Sequence, residues 1–204
     1  MQSTIVCLVT GGGTPRRLLS LIREAALAGV DLVQIRERSL DDRTLLALTR
    51  EAVEETEKTV CQVVVNDRVD VALAANAAGV HLRGDSFPGI RVRTIAPSGF
   101  LVGRSVHDVK QAVTAAEDGC DYLTFGTVFE SLSKPAGHPV AGLEELHRVA
   151  VAVQIPVIAI GGISEENAPQ ALAAGASGVA AIDLFRRGGP LLELVGRLRR
   201  PFDT

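Results

Sequence analysis

The chain has 204 residues, nearly half of them hydrophobic, and a formal net charge of −3. This length fits one domain with a sizeable core, and the scattered charges of both signs offer no basic surface, so nucleic acid is not an expected partner. Cys7, Cys61 and Cys120 are far apart and lack CxxC spacing, which excludes a paired-cysteine zinc site and a disulfide framework.

Short apolar runs alternate with helical patterns along the whole chain. Strands are expected at residues 4–9, 32–35, 62–65, 79–82, 100–103, 122–125, 157–160 and 178–182. Helices are expected at 15–28, 40–57, 69–77, 90–96, 108–118, 143–151, 165–174 and 190–198. The strands are apolar throughout rather than alternating, as in a parallel sheet covered on both faces. Eight strand–helix units in residues 1–204 predict an α/β fold, a single-domain (β/α)8 TIM barrel. Glycine ends several helices, at Gly29, Gly79, Gly119 and Gly175, where a left-handed cap is needed. The longest irregular stretch, residues 130–141, is placed to act as a lid. No apolar run reaches membrane-spanning length, and no basic segment leads into a short hydrophobic one at the N-terminus. No membrane partner is therefore expected, and the compartment expected is the cytoplasm.

A barrel of this type builds its site at the C-terminal ends of its strands, and polar residues gather there. Arg36, Glu37 and Arg38 follow the second strand, Asn66, Asp67 and Arg68 the third, and Arg83, Gly84, Asp85 and Ser86 the fourth. Arg104, Ser105 and His107 follow the fifth; Gly126 and Thr127 follow the sixth, ahead of Ser131, Ser133 and Lys134. Gly161 and Gly162 end the seventh strand, and Ile182 and Asp183 close the eighth.

The Gly-Gly pair and the backbone N–H groups of Ile182 and Asp183 form a candidate phosphate cradle; the Asp183 carboxylate itself would repel the anion. Arg36 carries a planar fork suited to carboxylate or phosphate, against the plainer alternative of an ion pair with Glu37 or another acid at the barrel mouth. Asn66 and Asp67 either orient substrate or hold a metal, against the plainer alternative of capping the helix that opens at Arg68. His107 is a candidate for proton transfer, because imidazole titrates near neutral pH. His81 reads as a packed barrel residue, and the cysteines as small buried hydrophobes.

The stretches VQIRERS, VVNDRVDVALAANAAGVHL, VGRSVHD, DYLTFGTVF, SLSK, IPVIAIGGIS and GVAAIDLF occur in this order. Together they resemble the thiamine phosphate synthase/TenI superfamily over nearly the whole chain. The resemblance implies one of two activities. A synthase joins a thiazole phosphate to a hydroxymethylpyrimidine pyrophosphate with Mg²⁺ and releases pyrophosphate. A TenI-type thiazole tautomerase moves a proton on carboxythiazole phosphate without a metal. Either activity makes a small-molecule thiazole phosphate the partner, and the resemblance also allows a homo-oligomer.

Set against the synthase pattern, Arg38 stands where that pattern has Lys, and Ser86 stands where its second metal-binding aspartate lies. The first such aspartate matches Asp67, and Asp85 lies one residue early. The loop Ser131-Leu132-Ser133-Lys134 keeps the hydroxyls and the cation of the synthase's Thr-x-Thr-Lys motif. Magnesium asks for hard oxygens in near-octahedral geometry, so these departures make the tautomerase, with no cofactor, the expected activity. His107 would be its base, and Arg36, Arg38, Asn66, Asp67, Ser105, Ser131, Ser133, Lys134, Gly161, Gly162, Ile182 and Asp183 would bind substrate. The alternatives are the synthase, with Mg²⁺ at Asp67 and Asp85, and a non-catalytic barrel that binds a phosphate metabolite.

Overall fold

A computed structural model describes residues 4–130, 139–187 and 189–199. The strands are β1 (Ile5–Val9), β2 (Leu32–Ile35), β3 (Gln62–Asn66), β4 (Gly79–Leu82), β5 (Leu101–Val106), β6 (Tyr122–Phe125), β7 (Val157–Ile160) and β8 (Gly178–Ala181). They close in sequence order, and every neighbouring pair is parallel, β8 against β1 included. The helices are α1 (Pro15–Leu27), α2 (Asp42–Thr56), α3 (Val69–Ala74), α4 (Gly89–Arg93), α5 (Val109–Glu117), α6 (Gly142–Ala152), α7 (Ala168–Ala173) and α8 (Leu191–Arg199). The single-domain (β/α)8 barrel expected from the alternating runs is the fold observed.

Local chemistry explains why these segments form. In α1, Thr14 accepts the Arg17 N–H, Pro15 opens the helix, and Leu18, Ile22, Ala25 and Ala26 face inward at helical spacing. Asp41 caps α2 through the Thr44 N–H, and Asp108 caps α5 through the Gln111 N–H. Such caps each contribute about 1 kcal/mol. The strands alternate between two cores. Outward side chains pack under the helices, while Cys7, Val9, Leu32, Val64, Tyr122, Ile158 and Ala180 fill the lumen. The three cysteines are buried and free, and burial pushes the Cys61 thiol up to about 12.

Several boundaries differ from the sequence expectation. β5 runs on to Val106 because Ser105 and Val106 pair with Thr124 and Phe125 of β6. β3 includes Asn66, which pairs with His81. α4 is only five residues long, since Pro88 and Pro97 bracket it closely.

The two halves of the barrel repeat one device at the N-terminal rim. Asp31, just before β2, accepts the Val6 N–H at 2.8 Å and the Arg199 guanidinium at 2.8 Å. Arg199 also donates to the Gly29 carbonyl. Four strands on, Asp121 accepts the Val102 N–H and the Arg93 guanidinium, and Arg93 donates to the Gly119 carbonyl. In each case a Gly-x-Asp segment is tied to an arginine from the helix that closes the preceding strand–helix unit. Gly79 and Gly178 repeat in the same way: a Cβ on either would lie 2.2 Å from the backbone oxygen of Leu101 or Ile5. The rim opposite the site is thus held shut by matched carboxylate–guanidinium clamps.

Candidate active site

Inward-facing side chains of β2 to β6 form a polar layer just below the mouth. Gln34, fully inside, donates from Nε2 to Asn66 Oδ1 at 2.9 Å. His81 Nδ1 lies 3.1 Å from the Tyr122 hydroxyl, and its Nε2 lies 2.9 Å from Ser105 Oγ and 3.2 Å from Thr124 Oγ1. Burial pushes His81 down to about 3 and Tyr122 well up, so both stay neutral near pH 7. This network fixes Ser105 to the barrel wall. As expected, His81 is a structural residue; Gln34, Tyr122 and Thr124 join the layer although the sequence did not single them out.

Above this layer, Arg36 is half-buried at the end of β2, and its backbone N–H donates to Thr10 Oγ1 at 2.9 Å. The alternative of an Arg36–Glu37 ion pair is not what the structure shows. The Glu37 carboxylate is buried and accepts the Gly12 N–H at 2.9 Å, tying the β1 loop to β2. Burial first, and then the Arg38 charge, lower the pKa of the Arg36 guanidinium. A cation destabilised in this way gains from an incoming anion. Arg38 itself is exposed.

The ends of β3 and β4 hold an acidic pair. Asp67 has a left-handed backbone, φ 59°, which aims its side chain at the loop after β4. Its Oδ1 accepts the Ser86 hydroxyl and, more weakly, the Arg83 N–H at 3.4 Å. Its Oδ2 lies 3.0 Å from Arg83 Nε, and Asp85 Oδ1 lies 3.1 Å from the same nitrogen. Neither Asn66 nor Asp67 caps α3, whose cap residue is Arg68 with no side-chain cap bond. That alternative is corrected: Asp67 spends its oxygens on the next loop instead. Arg104 fixes the same loop from β5, donating to the carbonyls of Gly84, Ser86 and Phe87 at 3.0, 2.7 and 2.9 Å.

His107 is exposed just past β5. Its Nδ1 lies 2.6 Å from the Gly126 carbonyl. A carbonyl only accepts, so Nδ1 carries the hydrogen and Nε2 of the neutral ring keeps its lone pair. A Cβ built on Gly84 would sit 3.9 Å from that Nε2, so the imidazole faces the loop after β4, which carries Asp85.

Across the mouth, Gly161 and Gly162 have φ 97° and 66°. A Cβ on Gly162 would meet the Glu130 carbonyl oxygen at 2.3 Å, so only glycine fits this crossing. The turn is pinned by its carbonyls: Phe129 N–H donates to Gly161 O at 3.0 Å and Asn167 Nδ2 to Gly162 O at 2.8 Å. The Gly162 and Asp183 N–H groups meet no backbone acceptor among the described residues, as a phosphate cradle requires. Asp183 opens a 3₁₀ turn, Asp183–Arg186, and is exposed, while Ile182 is half-buried against the β1 loop. Ser131, Ser133 and Lys134 lie outside the described residues.

Among the described residues no three His, Cys, Asp or Glu side chains are grouped to hold a metal, and no helix is long and apolar enough to cross a membrane. The donor chemistry of the acidic pair still fits a hard divalent cation: carboxylate oxygens from two adjacent strand ends converge on one cationic nitrogen.

Comparison with known proteins places this architecture. The family model described as thiamine monophosphate synthase matches residues 6–185. The thiamine-phosphate synthase of Methanocella arvoryzae is 43% identical over 177 residues, covering 86% of this chain and 84% of that protein. The corresponding protein of Methanoculleus marisnigri is 42% identical, covering 92% of this chain and 89% of its own. Among solved structures, thiamine phosphate pyrophosphorylase from Pyrococcus furiosus superposes with a TM-score of 0.85 at 31% identity, over 99% of this chain and 96% of that one. A 3-hexulose-6-phosphate synthase, at 14% identity and a TM-score of 0.75, shares the fold alone. The chain belongs to the thiamine monophosphate synthase family.

Proposed function

We propose that the protein is a transferase of thiamine biosynthesis that joins a thiazole phosphate to a hydroxymethylpyrimidine pyrophosphate and releases pyrophosphate. The observation that carries this reading is the acidic pair: Asp67 and Asp85 converge on one cation across the mouth from the Gly161-Gly162 turn. The names of the relatives sharing over two-fifths of its residues support the same reading. This ordering corrects the sequence expectation, in which Arg38 and Ser86 put the tautomerase first. Asp85, one position before Ser86, lies beside the same Arg83 nitrogen as Asp67, and the Ser86 hydroxyl bonds Asp67.

In this mechanism the monophosphate of the thiazole binds at the Gly161-Gly162 turn and the start of the 3₁₀ turn, through backbone N–H groups. Arg36, and Arg38 beside it, meet the pyrophosphate charge, which grows as the leaving group departs. Asp67 and Asp85 would hold Mg²⁺, which supplies charge neutralisation to the leaving pyrophosphate when bound. The layer below, Gln34–Asn66 and His81–Ser105–Thr124, seals the floor of the site against water and keeps it rigid.

One observation favours a second reading. Among the described residues His107 Nε2 has no hydrogen-bond partner and lies beside the mouth, which is the geometry a tautomerase needs. The two readings separate cleanly in an assay. Protein given both substrates and Mg²⁺ is expected to form thiamine phosphate and pyrophosphate in equal amounts. Aromatisation of carboxythiazole phosphate without pyrophosphate release, abolished by His107→Ala, would replace the transferase with the isomerase.

A further inference from the structure

We infer that Arg83 competes with the divalent cation: its guanidinium occupies the cation position between Asp67 and Asp85, and it must swing away before a metal can bind there. The proposal rests on reading Asp67 and Asp85 as the metal-holding pair. Arg83 Nε lies 3.0 Å from Asp67 Oδ2 and 3.1 Å from Asp85 Oδ1, and its terminal nitrogen lies 3.3 Å from Asp85 Oδ2. Both carboxylates therefore spend an oxygen on the one cation, and a hard ion entering between them would meet a positive charge already in place.

The surroundings allow the exchange. Arg83 is about half exposed at its side chain and Asp85 about three-quarters, so an ion pair here is worth little and is screened by solvent. The backbone is another matter. Arg104 holds the carbonyls of Gly84, Ser86 and Phe87, and the Ser86 hydroxyl holds Asp67. The loop can stay fixed while the Arg83 side chain alone turns. Once displaced, the guanidinium stands at the mouth as a free planar fork for a phosphate oxygen. The device keeps the acidic pair neutralised in the empty protein and releases a second anion-binding cation when the metal arrives.

The test is a titration of the full-length protein with Mn²⁺ alone, without substrates, following free Mn²⁺ by electron paramagnetic resonance. Arg83→Ala and Arg83→Gln are each expected to bind Mn²⁺ about 3-fold more tightly than the unaltered protein. Adding Asp67→Asn to Arg83→Ala is expected to abolish that gain. Equal affinity in all three proteins, absence of binding included, overturns the proposal. So does a gain that survives Asp67→Asn. Because no substrate is present, failure of pyrophosphate release leaves this result intact, and the reverse also holds.

Discussion

The two rims of the barrel use the same pair of side chains for opposite ends. At the N-terminal rim, Asp31 and Asp121 each accept a strand N–H as well as a guanidinium, and each arginine also donates to a backbone carbonyl. Each carboxylate there serves a backbone N–H and a guanidinium at once, so removing it leaves both without that acceptor. At the C-terminal rim, Arg83 is shared between two carboxylates and donates from its side chain to no backbone carbonyl among the described residues. Asp85 is exposed and Asp67 partly so, and neither holds Arg83 to a strand, so water or a ligand can take its place. Carboxylate–guanidinium pairing is therefore structural or functional according to how many backbone groups the same atoms serve.

Breaking the N-terminal clamp should give the largest effect. Asp121→Ala orphans the Val102 N–H and leaves Arg93 without its counter-ion, and is expected to cost about 2–3 kcal/mol of stability in urea unfolding.

The lumen between the rims gives an effect that appears only in acid and amounts to about 2 kcal/mol at pH 5. Burial holds the folded His81 at about 3, whereas in the unfolded chain it titrates near 6.5. Below that pH the unfolded state binds the extra proton, so stability is full above about pH 6.5 and falls as the pH drops toward 3. The contribution is about 1.4 kcal/mol for each pH unit within the window. Urea midpoints compared between the protein and His81→Gln at pH 7 and pH 5 should show a steeper acid loss in the unaltered chain. Parallel losses would contradict the burial of a neutral imidazole.

A smaller effect is expected at the mouth. Gly162→Ala forces a Cβ against the Glu130 carbonyl at a left-handed φ. It should weaken inorganic phosphate binding, measured by calorimetry, about 10-fold, with a stability loss of about 1–2 kcal/mol. The smallest effect belongs to the exposed acid of the pair: Asp85→Ala should leave the unfolding free energy in urea within about 0.5 kcal/mol of the original.

The fold was legible because parallel barrel strands are apolar on both faces and recur with helices between them. Residues 32–35, 79–82, 122–125 and 157–160 were bounded correctly from that signal alone. β5 was cut short at Gly103 because its last residues include Arg104 and Ser105, and a periodic apolar signal ends where a strand turns polar at the mouth. The placement of Asp67, Asp85, Gly161 and Gly162 at the mouth is legible from spacing, since strand ends fix where backbone and short side chains lie. The role of Arg83 is not: it depends on where a long, flexible side chain lands. The His81–Ser105–Thr124 layer was missed for another reason. It joins three strands: the register sets Ser105 level with Thr124 but His81 level with Gly103, so the His81–Ser105 contact depends on side-chain reach that spacing does not show.

The most direct test of the contrast between the rims uses Asp67→Asn, a change that keeps the shape and suits a left-handed backbone. Urea unfolding and thiamine phosphate formation are measured on the same preparation. The account predicts near-original stability with product formation lost at any Mg²⁺ concentration. A stability loss like that of Asp121→Ala, or undiminished product formation, would contradict it.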